Sequence, residues 1–159
     1  EAVRSVWPKR KPMFVRVSSI DGVNVGWSIS DTVRFAQELG ALGIDAIACS
    51  SGGPALERGQ ALAARVPGFQ VPFAAQVRAE TGLPTIAFGL IQTAEHANSV
   101  LREGSADIVA LAREVLFNPN WPLEAALQFE GPQAWKKWPD QFGWWLERRE
   151  RSLKPRQNS

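Results

Sequence analysis

Two arginines interrupt apolar stretches of this sequence, and a glycine lies in a third stretch of the same kind. Arg16 lies inside "MFVRVSSI", Arg113 closes "IVALAR", and Gly89 lies in "TIAFGLI". A buried guanidinium without a partner is costly, so Arg16 should face a ligand or a carboxylate. Glycine lets a backbone approach a phosphate, and arginine offers a permanent charge with a planar fork of donors. Gly89 and Arg113 therefore predict a phosphate site, and an ion pair at the rim of a sheet is the alternative for Arg113.

Other reactive residue types are few. His96, the single histidine, lies in the first turns of a predicted helix beside polar residues, which favours a solvent-facing position over catalysis. Cys49 is the single cysteine, lies in the apolar run "IDAIACSS" and cannot form an internal disulfide. A reducing compartment, by default the cytoplasm, is expected. The sequence contains no glycine-rich dinucleotide loop, no P-loop and no metal-ligand spacing.

Composition and charge narrow the class of protein. The 159 residues are 45% hydrophobic and 21% charged, which is ordinary for a globular protein with one core. The formal charge of +2 comes from the two ends, because residues 1–12 and 147–159 carry +3 each and leave about −4 on residues 13–146. We therefore expect no nucleic-acid partner. No apolar stretch approaches the roughly 20 residues that span a bilayer, so no membrane partner is expected.

The elements that must position these residues are strands and helices in alternation. Four runs that are apolar almost throughout predict parallel strands covered on both faces, at residues 13–20, 46–51, 85–91 and 108–113. Apolar residues at helical spacing follow each of the first three strands, and a last helix is expected near residues 123–129. Polar residues and glycines cluster where the strands end, which is the edge where α/β folds bind ligands. Four βα units fit either a small open sheet or half of a (β/α)8 barrel.

Eight segments, in this order, resemble the second half of the Old Yellow Enzyme family of FMN-dependent ene-reductases, in particular its thermophilic-like branch. They are "VWP", "VRVSS", "VGWSISDTV", "GIDAIACSSGG", "PGFQVPFAAQVR", "TIAFGLI", "SADIVALAREVLFNPNWPLEAA" and "WPDQF". The resemblance implies an α/β fold in which this chain is the C-terminal half, strands five to eight with their helices, of a (β/α)8 TIM barrel. Residues 1–130 would form the half-barrel with four βα units. Residues 131–159 would be a Trp-rich C-terminal extension that packs outside, reaches a neighbouring subunit or is partly disordered at its end.

The resemblance also implies a cofactor and a reaction. FMN would take hydride from NADPH or NADH and pass it to an activated alkene such as an enone. Arg16 matches an arginine beside the N1 and O2 edge of the flavin, where a cation stabilises the negative charge of the reduced ring. Phe88, Gly89, Ala112 and Arg113 match positions that hold the FMN phosphate. Relatives often have glycine where this chain has Ala112, and a positive φ there would cost alanine about 1 kcal/mol.

The C-terminal segment departs from the family pattern. Many relatives end in Pro-x-Gln-Tyr-x-Arg, which reaches the active site of the neighbouring subunit, and here Trp144 stands at the position of that arginine. The "WLE" that begins at Trp145 resembles another version, in which a tryptophan lines the partner's substrate pocket. A homo-oligomer is implied, and a surface-packing anchor is the alternative reading of Trp144 and Trp145.

Several parts of the family's machinery have no counterpart in this chain. The substrate-binding histidine pair and the residues near flavin N5 come from the first half of the barrel, and the sequence contains no tyrosine to donate a proton. The chain is therefore expected to be inactive without the missing N-terminal half, and to pair with that half or with a second half-barrel. The alternatives are another phosphate-binding barrel enzyme and a non-catalytic phosphate-binding half-barrel.

Overall fold

The sheet has four parallel strands in the order of the sequence. The computed structural model of the chain describes residues 1–22, 26–52 and 65–153. The strands are β1 (Phe14–Ser18), β2 (Ala46–Ser50), β3 (Thr85–Ala87) and β4 (Ile108–Val109), paired in the order β1-β2-β3-β4. The predicted α/β class with a parallel sheet is confirmed. β3 is shorter than the apolar run that predicted it, because the chain turns out of the sheet around Gly89, whose φ is 111°. β4 is also shorter than predicted, and Arg113, predicted as the end of that strand, is the first residue of a helix.

Helices follow the strands as the sequence predicts. They are α1 (Ala2–Val6), α2 (Ile29–Ala41), α3 (Val71–Thr81), α4 (Ala94–Arg102), α5 (Arg113–Phe117), α6 (Trp121–Glu130) and α7 (Asp140–Leu153), with a 3-10 helix at Gly131–Lys137. Helix α2 begins at a capping box, in which the Ser28 hydroxyl accepts from the Asp31 backbone N–H while the Asp31 carboxylate accepts from the Ser28 backbone N–H. The short helix α5 lies between β4 and the predicted last helix and was not predicted as a separate element.

The chain separates into two compact units, Glu1–Leu111 and Ala112–Ser159. The first unit contains the sheet and helices α1 to α4, and the second contains the remaining helices. The boundary predicted after residue 130 concerns where the βα repeat ends, and it stays a prediction. The expectation that the end of the chain is partly disordered concerns residues that lie outside the described ranges.

The two faces of the sheet differ in what covers them. On one face, buried residues of β2 and β3 pack with buried residues of α2, α3 and α4, so that strand and helix side chains form one core: Val33, Ala36, Ile47, Cys49, Ala74, Val77, Ala87 and Val100. On the other face, Ala46, Ala48 and Ile86 form a small cluster with Phe88 and Ala110. Within the described residues, this second cluster contains no residue from a helix.

The face of the sheet that carries this second cluster is apolar and partly open. Phe14 in β1 is 51% exposed and Ile108 in β4 is 41% exposed, although both belong to strands. We call this side of the sheet the uncovered face. Among the described residues of the first unit, helices pack on only one face of a sheet whose strand residues are apolar on both, so the uncovered face is where another element can pack.

An aspartate joins the starts of β1 and β2. The Asp45 carboxylate, directly before β2, accepts the backbone N–H of Met13 at 2.8 Å, and the Asp45 N–H donates to the Met13 carbonyl at 2.9 Å. Arg4 of α1 pairs with the same carboxylate oxygen at 3.4 Å. We call this arrangement a strand-start bridge, because it fixes the register of two neighbouring strands where they begin.

A second strand-start bridge joins β3 and β4. The Asp107 carboxylate, directly before β4, accepts the backbone N–H of Thr85 at 2.9 Å, and the Asp107 N–H donates to the Thr85 carbonyl at 3.1 Å. Arg78 of α3 donates to the same carboxylate oxygen at 3.0 Å. The Arg78 hydrogen bond is the main reason that the pKa of Asp107 lies below its ordinary value.

The Trp-rich extension is helical. In the second unit, α7 packs closely against the 3-10 helix at Gly143, where an added Cβ would lie 2.5 Å from the Trp135 carbonyl oxygen. Trp135 in turn donates from Nε1 to the Glu150 carboxylate at 3.1 Å. The glycine therefore permits the approach of the two helices, and the tryptophan links their polar groups.

Candidate functional site

Arg16 lies on the uncovered face and is exposed. In β1 the side chains alternate, so that Val15 and Val17 pack on the helix-covered core while Arg16 points to the opposite side. Its Nε donates to the Ser50 hydroxyl at 3.2 Å. Within the described residues no carboxylate forms an ion pair with Arg16. Of the two partners that the sequence allowed, a ligand or a carboxylate, the described part of the chain offers no carboxylate.

The register of the sheet explains which residues Arg16 meets. Arg16 pairs with Ala48, and Ala48 pairs with Ile86, so Ser50 and Phe88 lie two residues further toward the carboxyl ends on the same face. The Arg16 guanidinium carbon lies 5.1 Å from the centre of the Phe88 ring. The arginine therefore runs diagonally across the sheet, over Ser50 of β2, to the ring that follows β3.

The loop around Gly89 is backed by the residues that open α3. An added Cβ on Gly89 would lie 2.8 Å from the Gln70 backbone nitrogen and 3.1 Å from the Phe69 ring. The Gly89 carbonyl accepts the Gly68 N–H at 2.6 Å. Together with its φ of 111°, this packing makes glycine necessary at residue 89. The next residue, Leu90, has a φ of 54°, so the turn after β3 is tight.

Gln70 links this loop to the end of β2. It is 8% exposed, and its side-chain amide donates to the Ser51 hydroxyl at 2.9 Å and to the Ser51 carbonyl at 3.3 Å. The loops that follow β2 and β3 are therefore joined through one amide. The sequence did not predict a role for Gln70, and it placed Ser50 only among the polar residues that cluster where the strands end. The available signal was a polar residue before an apolar helix for Gln70, and one at the end of a buried strand for Ser50.

Ala112 and Arg113 belong to the second unit, where Arg113 is the first residue of α5 and Ala112 precedes it. Ala112 has a φ of −123°, so the strain expected for alanine at a positive φ does not arise. Arg113 is exposed, and within the described residues no carboxylate forms an ion pair with it. The ion pair that was the alternative for Arg113 is therefore not found in the described part of the chain.

Trp144 and Trp145 lie side by side on α7, with their rings edge to face at 4.5 Å. They are 50% and 65% exposed. The Arg148 guanidinium carbon lies 4.3 Å from the centre of the Trp144 ring, a cation–π arrangement. Trp145 also lines an apolar groove of about 510 Å³ with residues of α6 and α7, among them Leu123 and Phe142. Both tryptophans therefore present large apolar surface within the second unit.

His96 and Cys49 take structural positions. His96 is half-buried, and its Nε2 lies where an added Cβ on Gly68 would approach to 3.0 Å. The ring thus packs behind the segment that supports Gly89. Cys49 is fully buried, and burial raises the pKa of its thiol to about 11. A thiol with this pKa stays protonated and unreactive at neutral pH.

The described ranges contain neither a metal-ligand cluster nor a membrane-spanning helix. No group of three or more histidine, cysteine, aspartate or glutamate side chains could bind a metal ion there. Among the helices of the same residues, none combines the length and the apolar character needed to cross a membrane.

The chain is similar to a known protein family and to several named proteins. Residues 1–130 match the profile of the NADH:flavin oxidoreductase / NADH oxidase family. The chain is similar to a protein named NADPH dehydrogenase from Geobacillus thermodenitrificans, with 39% identity over 144 residues that cover 86% of this chain and 40% of that protein. It is 44% identical over 128 residues to the NADPH dehydrogenase of another Geobacillus strain, which covers 79% of this chain and 35% of that protein.

A relative from another genus matches a similar share of this chain. The NADPH dehydrogenase of Listeria monocytogenes is 37% identical over 144 residues, which cover 86% of this chain and 41% of that protein. This chain therefore spans about two fifths of the length of the curated relatives that it matches.

Proposed function

The chain belongs to the NADH:flavin oxidoreductase / NADH oxidase family, and we propose that it is the FMN-binding part of an NAD(P)H-dependent ene-reductase. FMN, when bound, would accept hydride from NADPH or NADH and deliver it to an activated alkene. The observation that supports this proposal best is Arg16, an exposed cation on the uncovered face of the sheet. In a member of this family, the expected ligand of such a cation is a flavin, whose ring has an electronegative edge.

The fold proposal is a half-barrel. The four parallel strands in sequential order, each followed by a helix, are the arrangement of half a (β/α)8 barrel. The uncovered face would then be the barrel interior, and the outer edges of β1 and β4 would pair with further strands. We propose that residues equivalent to the remainder of the relatives, an N-terminal half, complete the barrel. A second copy of this half-barrel is the other way to cover the same face and edges.

Arg16 fits the proposed cofactor. Within the described residues its only hydrogen bond uses Nε, so the two Nη groups have no partner there and can donate to a ligand. A guanidinium fixed at the edge of a ring system stabilises negative charge that gathers at that edge, and does so most strongly where water is excluded. Completing the barrel would exclude water from the uncovered face.

The phosphate end of FMN is proposed to lie at Phe88, Gly89, Ala112 and Arg113. The Gly89 turn is preformed by its packing on Gln70, and Arg113 follows the end of β4 by four residues. Arg113 lacks an ion pair with any described carboxylate, which leaves its charge available to an anion. The rival function, a phosphate-binding module without flavin, leaves the exposed position of Arg16 unexplained.

The phosphate proposal is tested with the variant Arg113→Ala in the complete protein, by measuring the dissociation constants of FMN and of riboflavin. Because riboflavin lacks the phosphate, the variant should weaken FMN at least tenfold, as expected for a lost charge-assisted hydrogen bond, and leave riboflavin nearly unchanged. Arg102→Ala removes another exposed arginine, at the end of α4, and is the matched control. Equal losses for both ligands would contradict the phosphate role.

The Arg16 proposal is tested through the reduction potential of bound FMN. Replacing Arg16 with alanine removes a cation that favours the reduced, negatively charged ring, so the potential should become more negative. Arg16→Lys keeps the charge without the planar fork, so its reduction potential should lie between those of the original protein and Arg16→Ala. A potential that is the same in all three proteins would show that Arg16 does not act on the flavin.

The second unit carries two exposed tryptophans on α7. Trp144 and Trp145, both exposed, are proposed to line the substrate pocket of a neighbouring subunit in a homo-oligomer. The apolar groove beside Trp145 is consistent with an apolar packing partner.

Because Cys49 is a buried free thiol, a reducing compartment such as the cytoplasm is proposed.

A further inference from the structure

Two side chains, those of Ser50 and Phe88, contact the Arg16 guanidinium. We propose that Ser50 and Phe88 are positioning residues, which together fix the Arg16 guanidinium on the uncovered face. This inference rests on the proposed function for its ligand, since it deepens the role of Arg16 toward the flavin ring. It gives Phe88 a side-chain role distinct from the phosphate contact that the family resemblance implies.

Ser50 fixes the inner end of the guanidinium. Its hydroxyl donates to the Val17 carbonyl at 3.0 Å, so its single proton is already used. The oxygen therefore presents a lone pair to the Arg16 Nε, which donates to it at 3.2 Å. Ser50 is only 4% exposed, so its hydroxyl cannot be replaced easily by water as a partner of Arg16. Arg16 thus donates to Ser50, and Ser50 donates to the Val17 carbonyl, so neither hydrogen bond can reverse its donor and acceptor.

Phe88 fixes the face of the guanidinium. Its ring lies 5.1 Å from the guanidinium carbon of Arg16, within the range of a cation–π contact. The ring is itself packed on the cluster of Ala46, Ala48 and Ile86, so it is a fixed surface rather than a free side chain. The guanidinium is thus held at Nε by a hydrogen bond and at its carbon by contact with the ring.

Two contacts restrict the arginine side chain. The hydrogen bond at Nε limits where the guanidinium points, and contact with a fixed ring limits how far it moves. The two Nη groups, which have no partner among the described residues, are then presented together at one place. An arginine free to rotate would have to be ordered when a ligand binds, at a cost of about 1 kcal/mol for a long side chain. Preorganisation removes that cost.

The test compares the protein with Ser50→Ala, Ser50→Thr and Phe88→Leu, using NMR of arginine side-chain N–H groups. Hydrogen exchange of the Arg16 Nε–H should become about fivefold faster in Ser50→Ala, which removes the acceptor. Ser50→Thr keeps the oxygen and should restore slow exchange. Phe88→Leu should shift the Arg16 side-chain resonances downfield, because the ring above them is lost. The Nε–H of Arg78, bonded to Asp107, is the internal control and should not change.

The same variants, loaded with FMN, are then compared by reduction potential. Ser50→Ala and Phe88→Leu should move the potential toward that of Arg16→Ala, and Ser50→Thr should stay near the original value. Unchanged Arg16 exchange and resonances in folded variants, judged by thermal melting, would overturn the positioning role. Changed resonances with an unchanged potential would overturn its effect on the cofactor. A protein that binds no FMN but shows the NMR changes would defeat the proposed function while supporting the positioning of Arg16.

Discussion

Gly89→Ala should destabilise the protein by roughly 2 to 5 kcal/mol. The backbone at residue 89 has a φ of 111°, which costs an L-residue about 1–2 kcal/mol. The new Cβ would also lie 2.8 Å from the Gln70 backbone nitrogen, closer than packed atoms approach. Since the obstacle is backbone rather than the end of a flexible side chain, the loop or the start of α3 must move, which adds about 1–3 kcal/mol for overpacking.

Gly82→Ala is the matched control for this prediction. Gly82 also has a positive φ, of 70°, but an added Cβ there would meet nothing within 4 Å. Its substitution should cost only about 1 kcal/mol, since the strain is partly offset by the reduced freedom of the unfolded chain. The difference between the two variants isolates the contact with Gln70.

Urea denaturation measures both substitutions, with the free energy of unfolding taken from midpoints at a common slope. We expect Gly89→Ala to lose at least 1 kcal/mol more than Gly82→Ala, or roughly 2–4 °C more in melting temperature for each kcal/mol. If both variants lose the same stability, the packing of the Gly89 turn against α3 is not as described, and the preformed phosphate turn loses its support.

Two further predictions concern carboxylates in the first unit. Because the pKa of Asp107 is depressed in the folded protein, mainly by Arg78, its charge stabilises the fold above its ordinary pKa of about 3.9, and this contribution is lost as the pH falls through the folded pKa. Asp107→Asn should therefore lower the melting temperature at pH 7, and the gap to the original protein should narrow toward pH 3; a gap independent of pH would exclude the charge effect. The pKa of Asp31 is lowered to about 2, first by the Ser28 hydroxyl, so Ser28→Ala should raise it toward its usual value in an NMR titration of the carboxyl carbon. An unchanged titration would mean that the capping box is not the cause.

Helix positions were predictable because their signals are local. Ser28 and Thr93 cap α2 and α4 through their own hydroxyls, and Gly82 ends α3 with the positive φ that glycine favours. Each of these signals acts within one turn of the chain. A sequence therefore contains the information for where such helices begin and end.

Strand ends and the surroundings of Arg16 were not predictable in the same way. The apolar run at residues 85–91 continues past Ala87, where β3 ends, because hydrophobicity does not report that Gly89 leaves the sheet. The sequence indicated that Arg16 faces a ligand or a carboxylate, but its contacts with Ser50 and Phe88 depend on the register of three strands. Contacts between residues 34 positions apart along the chain, such as Arg16 with Ser50, are set by that register.

The two strand-start bridges have a consequence for how the sheet can be loosened. Asp45 and Asp107 occupy the same register position in their strand pairs and exchange the same hydrogen bonds with the partner strand. Each also pairs with an arginine of the helix that precedes the first strand of its pair. The β2–β3 pairing begins instead with a backbone bond from Ile47 to Pro84. Each aspartate therefore ties one outer strand, β1 or β4, to its inner neighbour, whereas the central pair starts on main-chain groups. A change at either aspartate would loosen an outer strand and leave the centre of the sheet aligned.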